Sequence, residues 1–179
     1  NPDALIVATG SNPVIPSIPG IDGPQVVLAQ DVLLGDVEAG QRVVVIGGGL
    51  VGAETADFLA CHGKKVCIVE MMEELMRDGE PAPKAMLLKR LAQNHVTVYT
   101  ATKVTGIEEH AVVGEKDGAE ICIADVDTVI VAIGVRSNKA LEKHLAGKYQ
   151  GEIIAVGDAK NAKNGYLGIQ EGFEAGFNI

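Results

Sequence analysis

Six residues, Gly47-Gly48-Gly49-Leu50-Val51-Gly52, satisfy the spacing G-x-G-x-x-G. Glycine at those positions suits a phosphate cradle. Gly47 permits a tight turn, Gly49 lets a pyrophosphate approach the backbone, and Gly52 lets a helix pack closely on a strand. The unpaired N–H groups at the positive end of that helix would then face the anion. Glu70 follows Gly52 by 18 positions, about where such sites place a carboxylate that accepts hydrogen bonds from the adenosine ribose hydroxyls. Met71, Met72, Glu73 and Glu74 come next, and none is basic. A 2′-phosphate beside Glu70 would be repelled, whereas an NADP site supplies arginine. The expected ligand is therefore NADH rather than NADPH.

The elements around these residues fit that chemistry. Val43-Val44-Val45-Ile46 is β-branched throughout, as in a parallel strand buried on both faces. The glycine turn follows, then a helix-favouring segment through Ala60, with Gly63 at its C-terminal end and Lys64 and Lys65 suited to the negative end of its dipole. Val66-Cys67-Ile68-Val69 is a second buried strand ending at Glu70. Strand, turn, helix and strand in about 30 residues make one βαβ unit. A further helix is expected over 83–93, with Met86, Leu87, Leu88 and Leu91 as its apolar face, and Val96–Tyr99 as a third strand. Residues 103–124 read as a small antiparallel excursion turning at Asp117-Gly118, with Ile121 and Ile123 on one face. A strand over 128–133 ends at Gly134.

Outside this unit, Ala4–Ala8 is a short apolar strand closed by Thr9-Gly10. Prolines at 13, 16, 19 and 24 make 11–24 an extended connector, and Asp31 is placed to cap a short helix. A strand over 153–156, Gly157-Asp158 and a helix over about 168–178 close the chain. Ala8-Thr9-Gly10 and Ala132-Ile133-Gly134 end their strands alike, which suggests two related nucleotide-binding modules.

Composition excludes several classes. Of 179 residues, 47% are hydrophobic and 22% charged, with 22 glycines, three Phe, three Tyr and no Trp. This suits a globular aliphatic α/β core. A net charge of -9 without a basic stripe argues against nucleic acid. No apolar run approaches the roughly 18 residues of a bilayer span. Cys61, Cys67 and Cys122 form no CxxC pair, which fits a reducing, cytoplasmic setting. His62, His95, His110 and His144 lack metal-ligand spacing, so no metal site is expected. The opening Asn1-Pro2-Asp3 is expected to lie inside a longer protein.

The run Ala8-Thr9-Gly10-Ser11-x-Pro13-x-x-Pro16-x-x-Pro19-Gly20, the glycine motif with Glu54 and Glu70, Ala132-x-Gly134 and Gly157-Asp158 together resemble the two-dinucleotide-domain flavoprotein reductases of the pyridine nucleotide-disulfide oxidoreductase superfamily. Val43–Ala56, Val69-Glu70-Met71 and Glu171–Gly176 are most similar to the C-terminal part of NADH:flavin oxidoreductases of the 2-enoate reductase and 2,4-dienoyl-CoA reductase type. The resemblance implies an α/β, Rossmann-like ββα-type three-layer nucleotide-binding domain with a small antiparallel excursion, inserted into a second, FAD-type domain present only in part. Residues 1–25 and 151–179 would be the returning pieces of that second domain, and 26–150 the NADH-binding domain.

It further implies FAD, with Asp158 at the flavin ribityl and pyrophosphate region, and, upstream, a barrel carrying FMN and an iron–sulfur cluster. These missing flavin domains and the dinucleotide are the expected partners, with a homo-oligomer also admitted. Gly47–Gly52, Glu70, Met71, Ala132, Gly134 and Asp158 are the expected cofactor-binding residues. Glu54 either approaches the nicotinamide, as the resemblance implies, or is a helix N-terminal glutamate favoured by the dipole. Met71, Met72 and Met76 are expected to pack near the adenosine pocket. The implied activity is hydride transfer from NADH to a flavin for reduction of an activated C=C bond, with the fragment inactive alone. A disulfide or peroxide reductase module and a non-catalytic dinucleotide- or ADP-binding module stay open as alternatives.

Overall fold

The structure is a computed structural model that describes residues 2–179. In chain order its strands are β1 (Ala4–Val7), β2 (Ser11–Pro13), β3 (Val26–Leu28), β4 (Arg42–Ile46), β5 (Lys65–Val69), β6 (Thr97–Tyr99), β7 (Lys103–Ile107), β8 (Ala111–Lys116), β9 (Ala119–Ala124), β10 (Thr128–Val131), β11 (Val135–Ser137) and β12 (Glu152–Ala155). Its helices are α1 (Ala29–Leu34), α2 (Leu50–Cys61), α3 (Pro81–Gln93), α4 (Ala140–Leu145) and α5 (Gly165–Phe177). Two compact units result: Ile15–Gly134, and the segment ending at Val14 together with Val135–Ile179.

The Ile15–Gly134 unit is built on a five-stranded parallel sheet in the order β3-β10-β4-β5-β6. Strand β4 is central, and Val43 to Ile46 are all buried, which explains an apolar run without polar alternation. Successive side chains of a strand point to opposite faces. Val43 and Val45 accordingly join Ala53, Ala56 and Leu59 of α2, Leu87 and Leu91 of α3, and Ile68. Val44 and Ile46 join Val104, Ile107 and Val112 of the antiparallel β7-β8-β9 sheet, with Cys67 and Val129. Helices thus cover one face and a small sheet the other, giving three layers. Each fully buried Val or Ile contributes about 1.5–3 kcal/mol. The β8–β9 hairpin turns at Asp117 (φ 52°) and Gly118 (φ 79°), the left-handed pair that a two-residue type I′ turn requires.

The other unit pairs β1 with β12 in parallel and β2 with β11 antiparallel. Asn164 caps α5, its Oδ1 accepting the Leu167 N–H at 3.0 Å. Both clusters of buried apolar residues belong to the Ile15–Gly134 unit. Among α5 residues only Ala175 is buried, while Tyr166, Ile169, Phe173 and Phe177 stand exposed.

Several local expectations are corrected. Asp31 does not cap α1: Leu28 holds that position without a side-chain bond, and Asp31 sits within the first turn. On α3, Leu87 and Leu91 face the core but Met86 and Leu88 are exposed, because α3 rests on α2 through a stripe only one residue wide per turn. The Lys64 ammonium donates to the Ala39 carbonyl at 2.8 Å rather than to an α2 carbonyl. The connector begins with strand β2 and continues in tight turns, with Ile21 N–H donating to Ile18 O and Gly23 N–H to Gly20 O. The compact units divide after Val14 and Gly134, where β2–β11 pairing draws both segments into one unit.

Candidate dinucleotide site

At the C-terminal ends of β4, β5 and β10 lies a cavity of about 640 Å³. This is where open α/β sheets bind ligands. Its floor is the glycine loop. Gly47 leaves β4 with φ 103° and donates its N–H to the Val69 carbonyl at 2.9 Å. A Cβ there would lie 2.5 Å from the Ala132 carbonyl oxygen. Gly49 is the N-cap residue of α2, and a Cβ on it would meet nothing within 4 Å. That open space faces the start of a 12-residue helix with no side-chain cap and no acidic residue in its first turn. Uncapped N–H groups at such a terminus attract anions. Gly52 is buried, not ligand-facing: its missing side chain lets α2 rest against Gly47 and Ala132.

Of the sequence-expected residues, Gly47, Gly49, Leu50, Val51, Glu70, Met71, Ala132 and Gly134 line this cavity. Gly48 and Gly52 lie beneath it as packing positions. Glu54 is exposed on α2 and is not part of the lining. Met71 is an exposed wall residue, whereas Met76 is buried with Leu75 under the loop. Sequence reading missed Pro16 to Ile18 and Thr102 to Val104, which complete the walls. No motif marks either stretch. Lys103 is the only basic side chain at the cavity.

The Glu70 carboxylate is buried and doubly engaged. Its Oε2 accepts the Gly48 N–H at 2.5 Å and its Oε1 accepts the Met72 N–H at 2.7 Å. A carboxylate oxygen has two acceptor sites, so each keeps one free.

Asp158 belongs to the other unit. Its Oδ2 accepts the Ser11 hydroxyl at 2.9 Å and its Oδ1 the Lys163 N–H at 3.4 Å. The adjoining Gly157 N–H donates to Glu171 Oε2 at 2.8 Å. This backbone bond, helped by Lys160, holds the Glu171 carboxyl below the usual carboxylate range against the opposing effect of desolvation. Among the described residues no group of three or more His, Cys, Asp or Glu is placed to hold a metal ion, and Cys61, Cys67 and Cys122 are free thiols. No helix among the described residues is long and apolar enough to cross a membrane.

A three-layer α/β unit with a glycine loop, an uncapped helix terminus and an acidic residue at the end of the next strand defines a Rossmann-like dinucleotide-binding module. Comparison with known proteins makes the assignment specific: the chain belongs to the pyridine nucleotide-disulphide oxidoreductase family, whose match covers residues 1–163. It is 38% identical over 98% of its length to a bilirubin reductase of Mediterraneibacter gnavus and 34% identical over 99% to a cinnamate reductase of Clostridium sporogenes. A solved 2-naphthoyl-CoA reductase in complex with 2-naphthoyl-CoA superposes with a TM-score of 0.92 at 30% identity over 99% of the chain. The chain spans 27%, 26% and 27% of those three proteins, about a quarter of each.

The family implies NAD(H) and FAD. The cavity, the open space at Gly49 and the uncapped α2 terminus fit a dinucleotide.

Proposed function

We propose that the Ile15–Gly134 unit binds NADH within a larger flavin-dependent oxidoreductase, and that the second unit is part of a FAD-type domain. The observation that supports this best is the cavity at the strand ends, floored by Gly47 and Gly49 and closed by Glu70. Bound NADH would supply hydride to a flavin, the chemistry belonging to the cofactors. The protein's own part is binding and orientation. The N–H groups of the first turn of α2 receive the pyrophosphate, and the spare acceptor sites of Glu70 take the ribose hydroxyls. Met71, Ala132 and Gly134 shape the walls, Glu54 stands one turn along α2 on the nicotinamide side, and Asp158 serves the flavin.

In the intact protein the electrons pass to an activated C=C acceptor. The likeness to proteins named for cinnamate and 2-naphthoyl-CoA supports that class of acceptor. FMN and an iron–sulfur cluster would sit in the remainder of that protein. The exposed apolar side of α5, with no buried apolar cluster among the described residues of its unit, fits a domain completed by further polypeptide. The chain alone is then a binder without turnover.

Calorimetric titration of the chain with NADH and with NADPH tests this reading. Micromolar NADH binding, weakened by Glu70→Ala, supports it. NADPH binding as tight as NADH binding removes the role given to Glu70, and no binding of either nucleotide removes the NADH site.

A further inference from the structure

Glu70 directly follows β5 with 9% of its surface exposed, and its two carboxylate oxygens serve two separate stretches of backbone. One holds the Gly48 N–H of the glycine loop, the other the Met72 N–H at the start of segment 71–79. The same segment returns to Gly48, where the Met76 N–H donates to the Gly48 carbonyl at 2.8 Å. Leu75, itself buried, closes on that residue: a Cβ on Gly48 would lie 2.3 Å from Leu75 Cδ2, 3.0 Å from Glu70 Cβ and 3.2 Å from Glu70 Oε2. Gly48 occupies an x position of G-x-G-x-x-G, so cradling a phosphate does not itself require glycine there. A side chain there would instead crowd Leu75 and Glu70.

We propose that Glu70 is a positioning residue that latches the glycine loop to segment 71–79 before any ligand arrives, and that the pocket refuses a 2′-phosphate because this carboxylate is held and cannot turn aside. The inference rests on the NADH reading above and extends it from charge to geometry. An unrestrained carboxylate meeting a 2′-phosphate turns to another staggered rotamer at small cost. Turning Glu70 breaks two charge-assisted hydrogen bonds and leaves two N–H donors unpaired. Each such bond accounts for roughly tenfold or more in an equilibrium constant. Selectivity then depends on Gly48 and Leu75 as well as on the charge of Glu70.

Two variants separate latch from charge. Glu70→Gln keeps the size but presents an NH₂ donor to one of the two amides. Gly48→Ala keeps the Glu70 charge and crowds the latch. Residue-resolved hydrogen exchange of the unliganded chain is expected to show the Gly48 or Met72 amide exchanging about tenfold faster or more in Glu70→Gln. The ratio of NADPH to NADH dissociation constants is expected to narrow about tenfold in both variants. Should Gly48→Ala fail to fold, Leu75→Ala takes its place with the same expected narrowing, since it loosens the closure without adding atoms. A change that was merely structural would weaken both nucleotides alike and leave the ratio fixed.

Unchanged exchange at both amides in Glu70→Gln overturns the latch. So does a full NADH preference in Gly48→Ala or its substitute when Glu70→Gln has lost it, because charge alone would then account for selectivity. If the unsubstituted chain binds neither nucleotide, the NADH reading fails, and the exchange result decides the latch by itself.

Discussion

Gly52 lies so close to Gly47 that a Cβ on it would stand 1.9 Å from the Gly47 carbonyl oxygen and 3.3 Å from the Ala132 Cβ. One turn into α2, the helix therefore rests directly on the loop that leaves β4 and on the residue that follows β10. Helix, glycine loop and two strand ends are fixed by one missing side chain. Gly49, three residues earlier, meets no atom within 4 Å in the same test. Its absent side chain leaves room for a ligand rather than for protein.

The two glycines should consequently fail in different ways. Gly52→Ala forces backbone apart and is expected to cost about 3 kcal/mol, at the upper end of overpacking effects. Gly49→Ala, at an ordinary φ of -65°, should cost about 1 kcal/mol or less, the N-cap preference of glycine over alanine, while weakening NADH binding. Urea unfolding and nucleotide titration of both variants check this. Equal stability losses would show that the close contact at Gly52 is not what demands glycine.

Asp57 on α2 is 4% exposed and pairs with Arg90 of α3, whose side chain is 58% exposed. Asn94 adds a second donor at 3.4 Å. Removing Arg90 would leave a buried carboxylate short of partners, a change that costs about 3–5 kcal/mol in a fully buried pair. Solvent around the exposed guanidinium screens part of this, so Arg90→Ala is expected to lose about 1–3 kcal/mol. Adding Asp57→Leu should recover a good part of the loss. Strict additivity in the double-mutant cycle, measured by urea unfolding, would mean the two side chains do not couple.

Most of the sheet was legible because burial on both faces leaves its mark in β4, β5 and β10: runs such as Val43–Ile46 carry no polar alternation. The glycine loop was legible because its glycines stand at fixed spacing, Gly47 and Gly52 where close contacts exclude a side chain and Gly49 where the space is open. The hairpin at Asp117-Gly118 announced itself through the residues a left-handed turn needs. The short β2, β3 and β11 were not legible, since three-residue strands owe their form to partners distant in sequence. Asp31 shows the same limit: an acidic residue near a helix start does not tell N-cap from first turn. The walls at Pro16–Ile18 and Thr102–Val104 are brought to the cavity by topology, and the tie between Glu70 and Gly48 is visible only when loop and strand end are seen together.

On α5, Ile169 is 76% and Phe173 70% exposed, and the Phe173 and Phe177 rings stack with centroids 6.0 Å apart. These side chains bury little in this chain. Ile169→Glu and Phe173→Glu are each expected to change its unfolding free energy by no more than about 0.5 kcal/mol and to reduce the fluorescence of a bound apolar dye. A loss of several kcal/mol in either variant would show that the face is already covered in solution.

Cys67 ties stability to alkaline pH. Burial pushes its thiol from the ordinary 9.0 up to about 12. The unfolded chain releases this proton near pH 9, while the folded protein keeps it until about pH 12. Between those values the folded state binds more protons, so stability falls as pH rises, and this contribution is fully present only below pH 9. Tyrosine and lysine titrate in the same range, so the informative quantity is the difference between the protein and Cys67→Ala. That difference should shrink steadily across the window. Near neutral pH a thiol reagent should modify the exposed Cys61 and Cys122 quickly and reach Cys67 only as fast as the β5 region opens. Rapid labelling of all three thiols, or a pH-independent difference between protein and variant, would contradict the buried, protonated state of Cys67.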